Sequence, residues 1–331
     1  DPQGLDPRFV ARRLEHAAAR PLAAILGGLR SERVPLLFVD CTASETVAAR
    51  HASLLARGIG VVTANKHGLA GSLGDWHRLQ EAASRTPLRA STTVGAGLPV
   101  LSTVRALRRR GDALVSVRAT LSGTLAHVLA AVHHGTPLSR AVADAHRLGL
   151  TEPQPAADLS GADVARKLVI VLREAGVFVE SDDIRMEPWV NARALLAPDA
   201  RALCLALEAD DATFAARVAA VRAAGRRLVF AATYDGAQAR AGLLEVDEHD
   251  ALAVARPGEN VIQLRTALHD RVPLVISGPG AGVAVTAAGL HGDVLSAARS
   301  LVAKSRRGQG RASAFLDGAR ANSARHHPAW A

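Results

Sequence analysis

Residues able to do chemistry gather in one short stretch, TEPQPAADLSGADVARKL, positions 151 to 168. It holds Glu152, Asp158, Asp163 and Lys167 and runs straight into the apolar string LVIVL. Two readings compete. Ser160 followed by Asp163 fits a capping box, in which side chains satisfy the free N–H groups of a helix start. Asp163 and Lys167 lie four apart, so on a helix they share one face and pair. The other reading makes the acids and the lysine a working site.

The composition draws attention to the lysines. Of 40 basic residues only Lys66, Lys167 and Lys304 are lysine. Arginine does not release a proton near neutral pH, and its fork does not fit a site made for a compact ammonium. A lysine kept in such a chain is enriched for a task that arginine cannot do. Lys66 and Lys167 sit beside apolar segments; Lys304 lies in a basic tail, where chance survival is explanation enough.

Other motifs are weaker. TVGAGLP (93–99) and SGPGAG (277–282) each put glycines between a strand and a helix. Gly95 and Gly97 let backbone approach a ligand or let carbonyls converge on a cation, or they simply make a tight turn ahead of Pro99. Gly278 and Gly280 fit a cofactor pocket at a helix start, but the spacing is not the dinucleotide fingerprint G-x-G-x-x-G, which occurs nowhere in the chain. His133-His134 and His326-His327 are adjacent pairs whose rings point apart, with no acid or thiol cluster to complete a metal set, so both read as solvent-facing. Ser122 reads as a helix cap rather than a nucleophile.

The elements that must hold these residues alternate. A helical period runs over 7–29, with Phe9, Val10, Leu14, Ala18, Leu22 and Ile25 inward. Strands are expected at VPLLFVD (34–40), GIGVVTA (58–64) and 88–93, with helices over 44–55 and 73–83. Apolar strands alternating with amphipathic helices imply a parallel sheet, and in such sheets ligands bind beyond the carboxyl ends of the strands. Asp40, Cys41, Thr42, Asn65, Lys66 and the loop after Thr93 then share one rim. Farther on, helices are expected at 97–112, from Ser122, at 138–148, 161–175 and 209–225, and a strand over 113–121. RRLVFAATYD and ARAGLLEVD form a hairpin around an Asp-Gly turn. The strand 272–282 and a helix over 283–303 close the fold.

The chain has 331 residues, enough for two domains, and 49% hydrophobic residues, enough for a sizeable core. No apolar run reaches the ~20 residues of a membrane span, and the start lacks the hydrophobic segment of a signal peptide. Cys41 and Cys204 make no disulfide framework and suit a reducing cytoplasm. The net charge of +9 is spread among acids except in the tail after 303, and 3% aromatics leave little to stack on bases, which argues against nucleic acid.

VDCTASE, VVTANK, TVGAGLP, LSGTLAHVL, GLTEPQPAADLSGADVARKL, PGENVI and SGPGAGVAVTAAGLHGDVL occur in this order. Together, over about residues 34 to 300, they resemble homoserine dehydrogenase, and most of all the dehydrogenase half of bifunctional aspartokinase–homoserine dehydrogenases. The resemblance implies an α/β fold: an incomplete Rossmann-type nucleotide-binding domain (1–96), an inserted α+β substrate and dimerisation domain (97–277) and a return to the nucleotide-binding domain (278–303); the basic composition and weak apolar periodicity of 304–331 read as a disordered tail. It implies NAD(P)H-dependent reduction of aspartate β-semialdehyde to homoserine, in threonine and methionine biosynthesis, by a cytoplasmic homodimer or higher oligomer with no membrane partner.

The resemblance also assigns residues. Lys167 matches the active-site lysine and Lys66 a second lysine near nicotinamide and substrate. Glu152 matches the carboxylate that holds the substrate's amino group, and Asp158 and Asp163 match acids that position substrate and lysine. Thr42, Ala43, Gly278 and Gly280 fall where the family lines NADP or NAD. Val94, Ala96 and Leu98 match carbonyls that bind Na+ or K+ in some members. Departures accompany the match. Gln154, Ala156 and Ala157 replace two acids and an arginine of the common TEPDPRDDLSG, and Ala90 and Ser91 stand where an aromatic and an acid often precede VGAGLP. The family's first βαβ unit, with its glycine fingerprint, has no counterpart, and Asp1 enters after it. The expectation is therefore a homoserine dehydrogenase cut upstream. Its rival is a non-catalytic dimerising fragment that does not hold NAD(P)H.

Overall fold

Short aliphatic runs bounded by turn residues become the strands β1 (Leu37–Asp40), β2 (Gly60–Thr63) and β3 (Leu88–Arg89) of a three-stranded parallel sheet in the order β1-β2-β3. Every residue of β2 is buried, as expected of a strand covered on both faces. This computed structural model describes residues 6–15, 21–29, 34–256 and 258–323. The connections are α3 (Glu45–Ala48), α4 (His51–Ala56), α5 (His67–Ala70) and α6 (Leu73–Ala83).

Ahead of β1 the expected helix over 7–29 is instead two pieces, α1 (Pro7–Glu15) and α2 (Leu22–Gly27). Pro21 lacks an N–H and disfavours helix in the residue before it, so the helical phase restarts at α2. Phe9 and Ile25, expected inward, are half exposed, and Leu26 is the residue that reaches the core. Ala18 lies outside the described residues.

The second sheet has six strands in the order β5-β7-β6-β4-β8-β9, antiparallel except for β5 with β7. They are β4 (Leu114–Thr120), β5 (Ile184–Met186), β6 (Arg226–Tyr234), β7 (Ala239–Asp247), β8 (Glu259–Thr266) and β9 (Leu274–Pro279). The β6–β7 hairpin turns where Asp235-Gly236 stands: the Asp235 carboxylate accepts from the N–H groups of Ala237 and Gln238, and Gly236 has φ 98°. Strand β8 was not foreseen. Around this sheet lie α7 (Val100–Arg109), α8 (Gly123–His133), α9 (Leu138–Arg147), α10 (Pro155–Leu159), α11 (Ala162–Ala175), α12 (Ala192–Leu195), α13 (Ala200–Leu207) and α14 (Asp211–Ala223).

α11 explains the LVIVL run. Leu168 to Glu174 are all buried, because the helix packs on α7, α5, β6 and β7 at once. One hydrophobic core extends from Leu54 of α4 and Val61 of β2 through α11 to Phe230 and Leu264 of the second sheet. The last helix, α15 (Val283–Ser323), packs back on β1, β2 and β3. It carries the backbone 20 residues past the expected end at 303, because Ala, Arg and Leu in the tail favour helix despite three glycines. No helix among the described residues is long and apolar enough to cross a membrane.

Candidate active site

β1 and β2 deliver the rim residues together. Asp40 ends β1 and is 1% exposed. Its Oδ1 accepts from the Thr42 N–H (2.8 Å) and the Thr42 hydroxyl (2.7 Å). Its Oδ2 accepts from Asn65 Nδ2 at 3.0 Å and faces His51 Nε2 at 2.9 Å. Asn65 also donates to the Ser44 carbonyl, and its Oδ1 accepts from the His67 N–H at the start of α5. Burial holds the His51 ring below its usual pKa against the opposing pull of the Asp40 charge and hydrogen bond. Rim convergence was expected from strand order; His51, a lone histidine among the apolar residues of α4, was missed.

Lys66 caps α5, and its Nζ lies 3.1 Å from Asp163 Oδ1. Lys167 sits one turn past Asp163 on α11 and reaches Asp163 Oδ2 at 2.8 Å. The same ammonium donates to the Leu121 carbonyl, just beyond β4, at 2.6 Å. One carboxylate thus joins two lysines that are 101 residues apart in the chain. Burial pushes the Asp163 carboxyl up, but the charges of Lys167 and Lys66 outweigh it and hold it below the ordinary carboxylate value.

The capping box is corrected. Gly161, at φ 71°, is the N-cap of α11, and Ser160 closes α10. The Ser160 hydroxyl accepts from the Ala162 N–H and donates to the Ala157 carbonyl, while Asp163 is spent on the lysines. A Cβ at Gly161 would stand 2.5 Å from the Phe230 ring, so this left-handed turn belongs to glycine on two grounds.

Asp158, on α10, accepts the Glu152 N–H at 2.9 Å. Burial raises the Asp158 carboxyl above its usual value, assisted by repulsion from Glu152 and Asp163 and opposed by hydrogen bonds from the Glu152 N–H and Thr124. Glu152 itself is exposed. Gly278 pairs with Asn260 across β8–β9, and Leu98 packs against Gly278. A Cβ at Gly280 would stand 2.0 Å from Asn260 Cγ. Asn260 is buried with both amide atoms lacking a protein partner. A glycine pair with no room for side chains, beside a buried free amide, fits a polar ligand laid against backbone. Ala43 is exposed on the β1 rim.

In the TVGAGLP turn, Gly95 and Ala96 both have positive φ, at 76° and 52°, and Ala96 is the one non-glycine residue with positive φ among those described. Holding alanine there costs roughly 1 kcal/mol. The Val94 residue is fully buried, and the Leu98 carbonyl accepts the Val100 N–H. Among the described residues no group of histidine, cysteine and acids could hold a metal. His133 is corrected: it is buried, and its Nε2 meets the Leu228 backbone, because it falls on the face of α8 that packs against β6. His134 is exposed as read, and His326-His327 lie outside the described residues. Ser122 caps α8 as read, accepting from the Leu125 N–H.

A cavity of about 520 Å³ opens along the seam between α5 and α11, lined by residues that include Glu45, His67, Ser160, Arg166 and Met186. Lys66, Asp163 and Lys167 do not line it.

Comparison with known proteins agrees with the geometry. The family model described as homoserine dehydrogenase matches residues 99–295, and the one described as its NAD binding domain matches residues 6–90. The chain is 36% identical over 261 residues to the bifunctional aspartokinase/homoserine dehydrogenase of Haemophilus influenzae, covering 78% of this chain and 32% of that protein. It is 34% identical to the homoserine dehydrogenase of Emericella nidulans, covering 78% of this chain and 74% of that one. The chain thus spans about a third of the length of the bifunctional relatives it matches. A solved Candida auris protein of unknown function superposes with a TM-score of 0.81 at 26% identity, over 88% of this chain and 84% of its own.

Proposed function

This chain belongs to the homoserine dehydrogenase family, and from that premise we propose that it carries the centre that reduces aspartate β-semialdehyde to homoserine. The observation that carries the proposal is the single Asp163 carboxylate shared by Lys66 and Lys167. The resident cofactor is NADPH or NADH, held along Thr42, Ala43, Lys66, Gly278 and Gly280. When bound, it supplies a hydride to the aldehyde carbon.

The protein's own residues manage the charge that follows. As the carbonyl oxygen becomes an alkoxide, Lys167 donates a proton to it, and the ammonium stabilises the growing negative charge. Asp163 keeps that ammonium in place, and the Leu121 carbonyl fixes its second hydrogen bond. Lys66, on the same carboxylate, would add a second positive charge beside the reacting oxygen. Glu152 takes the substrate's ammonium, and Asp158 steadies the Glu152 loop through its N–H. In the same reading the backbone carbonyls of Val94, Ala96 and Leu98 would hold a monovalent cation. The molecule works as a homodimer.

The test is Lys167→Ala in the complete protein. Turnover falls by about 10³-fold while cofactor affinity stays, since proton transfer and charge stabilisation are lost together. Near-normal turnover would sink the assignment. Fluorescence titration of the 331-residue chain with NADPH asks whether this segment alone holds the cofactor. Micromolar binding supports the reductase centre, and no binding favours the non-catalytic scaffold.

A further inference from the structure

The two lysines come from different parts of the fold, so something must fix α5 against α11. Arg173, six residues after Lys167 on α11, is fully buried and is the largest fully buried side chain described. Its Nη1 donates to the carbonyls of Leu69 and Gly71, both at 2.8 Å. Its Nε and Nη2 donate to the Val179 carbonyl at 3.0 and 2.8 Å, and Nη2 lies 3.4 Å from Glu180 Oε2. Leu69 and Gly71 are at the C-terminal end of α5, where backbone carbonyls have no partner within the helix. The Leu69 N–H in turn bonds to the Lys66 carbonyl at 3.0 Å, so Arg173 is two hydrogen bonds from the backbone of Lys66.

α11 therefore meets α5 at two places. Asp163 takes the Lys66 side chain at one end, and Arg173, about 15 Å farther along the axis, takes the opposite end of α5. One attachment leaves a pivot; two fix an orientation. Neighbouring bonds extend the joint: Glu180 accepts the Leu73 N–H that opens α6, and Ser181 donates to the Ala70 carbonyl.

We propose that Arg173 is a positioning residue: its fork onto α5 sets Lys66 in register with Asp163 and Lys167. This rests on the reductase reading of those three residues. Arginine is required because one planar group must serve three carbonyls in two directions, which an ammonium does not do. A merely structural Arg173 would stabilise the fold and leave the lysines where they are.

Arg173→Lys in the complete protein separates the two, with Arg105→Met as control. Arg105 makes a half-buried bidentate pair with Glu174, the next residue on α11, but that pair joins α7 and not α5. Both variants lower Tm. Arg173→Lys lowers kcat by about tenfold or more while the KM for NADPH stays within about threefold, because orientation and not binding is lost. Arg105→Met keeps kcat within about threefold of wild type. Equal kcat in the two variants overturns the proposal.

A second readout needs no turnover. Acetylation of Lys66 by acetic anhydride, followed by peptide mass spectrometry, rises about fivefold in Arg173→Lys and not in Arg105→Met, as the ion pair opens. Unchanged labelling overturns the proposal even where wild-type protein reduces no semialdehyde, an outcome that would separately defeat the reductase reading. Should Arg173→Lys not fold, the double variant Glu180→Gln, Ser181→Ala loosens the same joint from its rim. It lowers kcat and exposes Lys66 by about threefold, and wild-type values for both overturn the proposal.

Discussion

Asp163→Asn is the sharpest perturbation of this site, since it removes one charge and almost no volume. The carboxylate makes two charge-assisted hydrogen bonds, at 2.8 Å to Lys167 and 3.1 Å to Lys66. Hydrogen bonds to charged groups contribute about 1.5–3 kcal/mol each. The Asp163 side chain is 44% exposed while the Lys167 side chain is 12% exposed, so the lower figure applies. If both bonds support the transition state, about 3 kcal/mol is lost, or about 150-fold in kcat; if only the Lys167 bond does, the loss is about tenfold. The assay is steady-state oxidation of NADPH by aspartate β-semialdehyde in the complete protein, with KM for both substrates. A kcat within about threefold of wild type, or a loss confined to KM for NADPH, would refute the role given to the shared carboxylate. Stability carries the same signature. A carboxyl held below its ordinary pKa stabilises the fold above that ordinary value, and the contribution disappears as pH falls through the lowered one. The advantage of wild type over Asp163→Asn in denaturant melts therefore shrinks on acidification.

Gly280→Ala places a methyl 2.0 Å from Asn260 Cγ, with little room for the buried amide to move. It lowers NADPH affinity by about tenfold or more, or unfolding free energy by about 2 kcal/mol, and unchanged values of both would show that the loop is not the tight cradle described. Asp158→Asn has the opposite pH behaviour to Asp163→Asn. A carboxyl raised by burial favours the fold below its ordinary pKa and costs stability once pH has risen through the raised one. The variant is thus more stable than wild type at neutral pH and loses that lead in acid, as guanidinium melts at two pH values will show.

Much of the fold was legible because local rules and tertiary demands coincide. The first two parallel strands, α6 at 73–83, the Asp-Gly hairpin and the Ser122 cap stand where period and turn chemistry put them, whereas the third strand, expected over 88–93, stops at Arg89 and gives way to a 3-10 turn at Ser91–Thr93. Where they parted, packing decided. The capping box at Ser160–Asp163 yielded because two ammonium groups compete more strongly for a carboxylate than one backbone N–H does. His133, read as solvent-facing because no acid or thiol cluster stood ready to make a metal set with it, is buried because the Leu228 backbone satisfies its ring. Pro21, non-helical at ψ 129° ahead of α2, overrides the helical period that runs through it.

The sequence by itself determined the family, the rim on which Asp40, Thr42, Asn65 and Lys66 meet, and the scarcity of lysine that singled out Lys66 and Lys167. It also placed Asp163 one helical turn from Lys167, since that spacing is local. Only the tertiary structure decided that the same carboxylate is shared with Lys66, that His51 and Asn65 share Asp40, and that Arg173 of α11 grips the end of α5. Periodicity reports on which face of an element a residue lies. It carries no information about which other element that face will meet across a hundred residues of chain, and there hydrogen bonds and burial choose the partner.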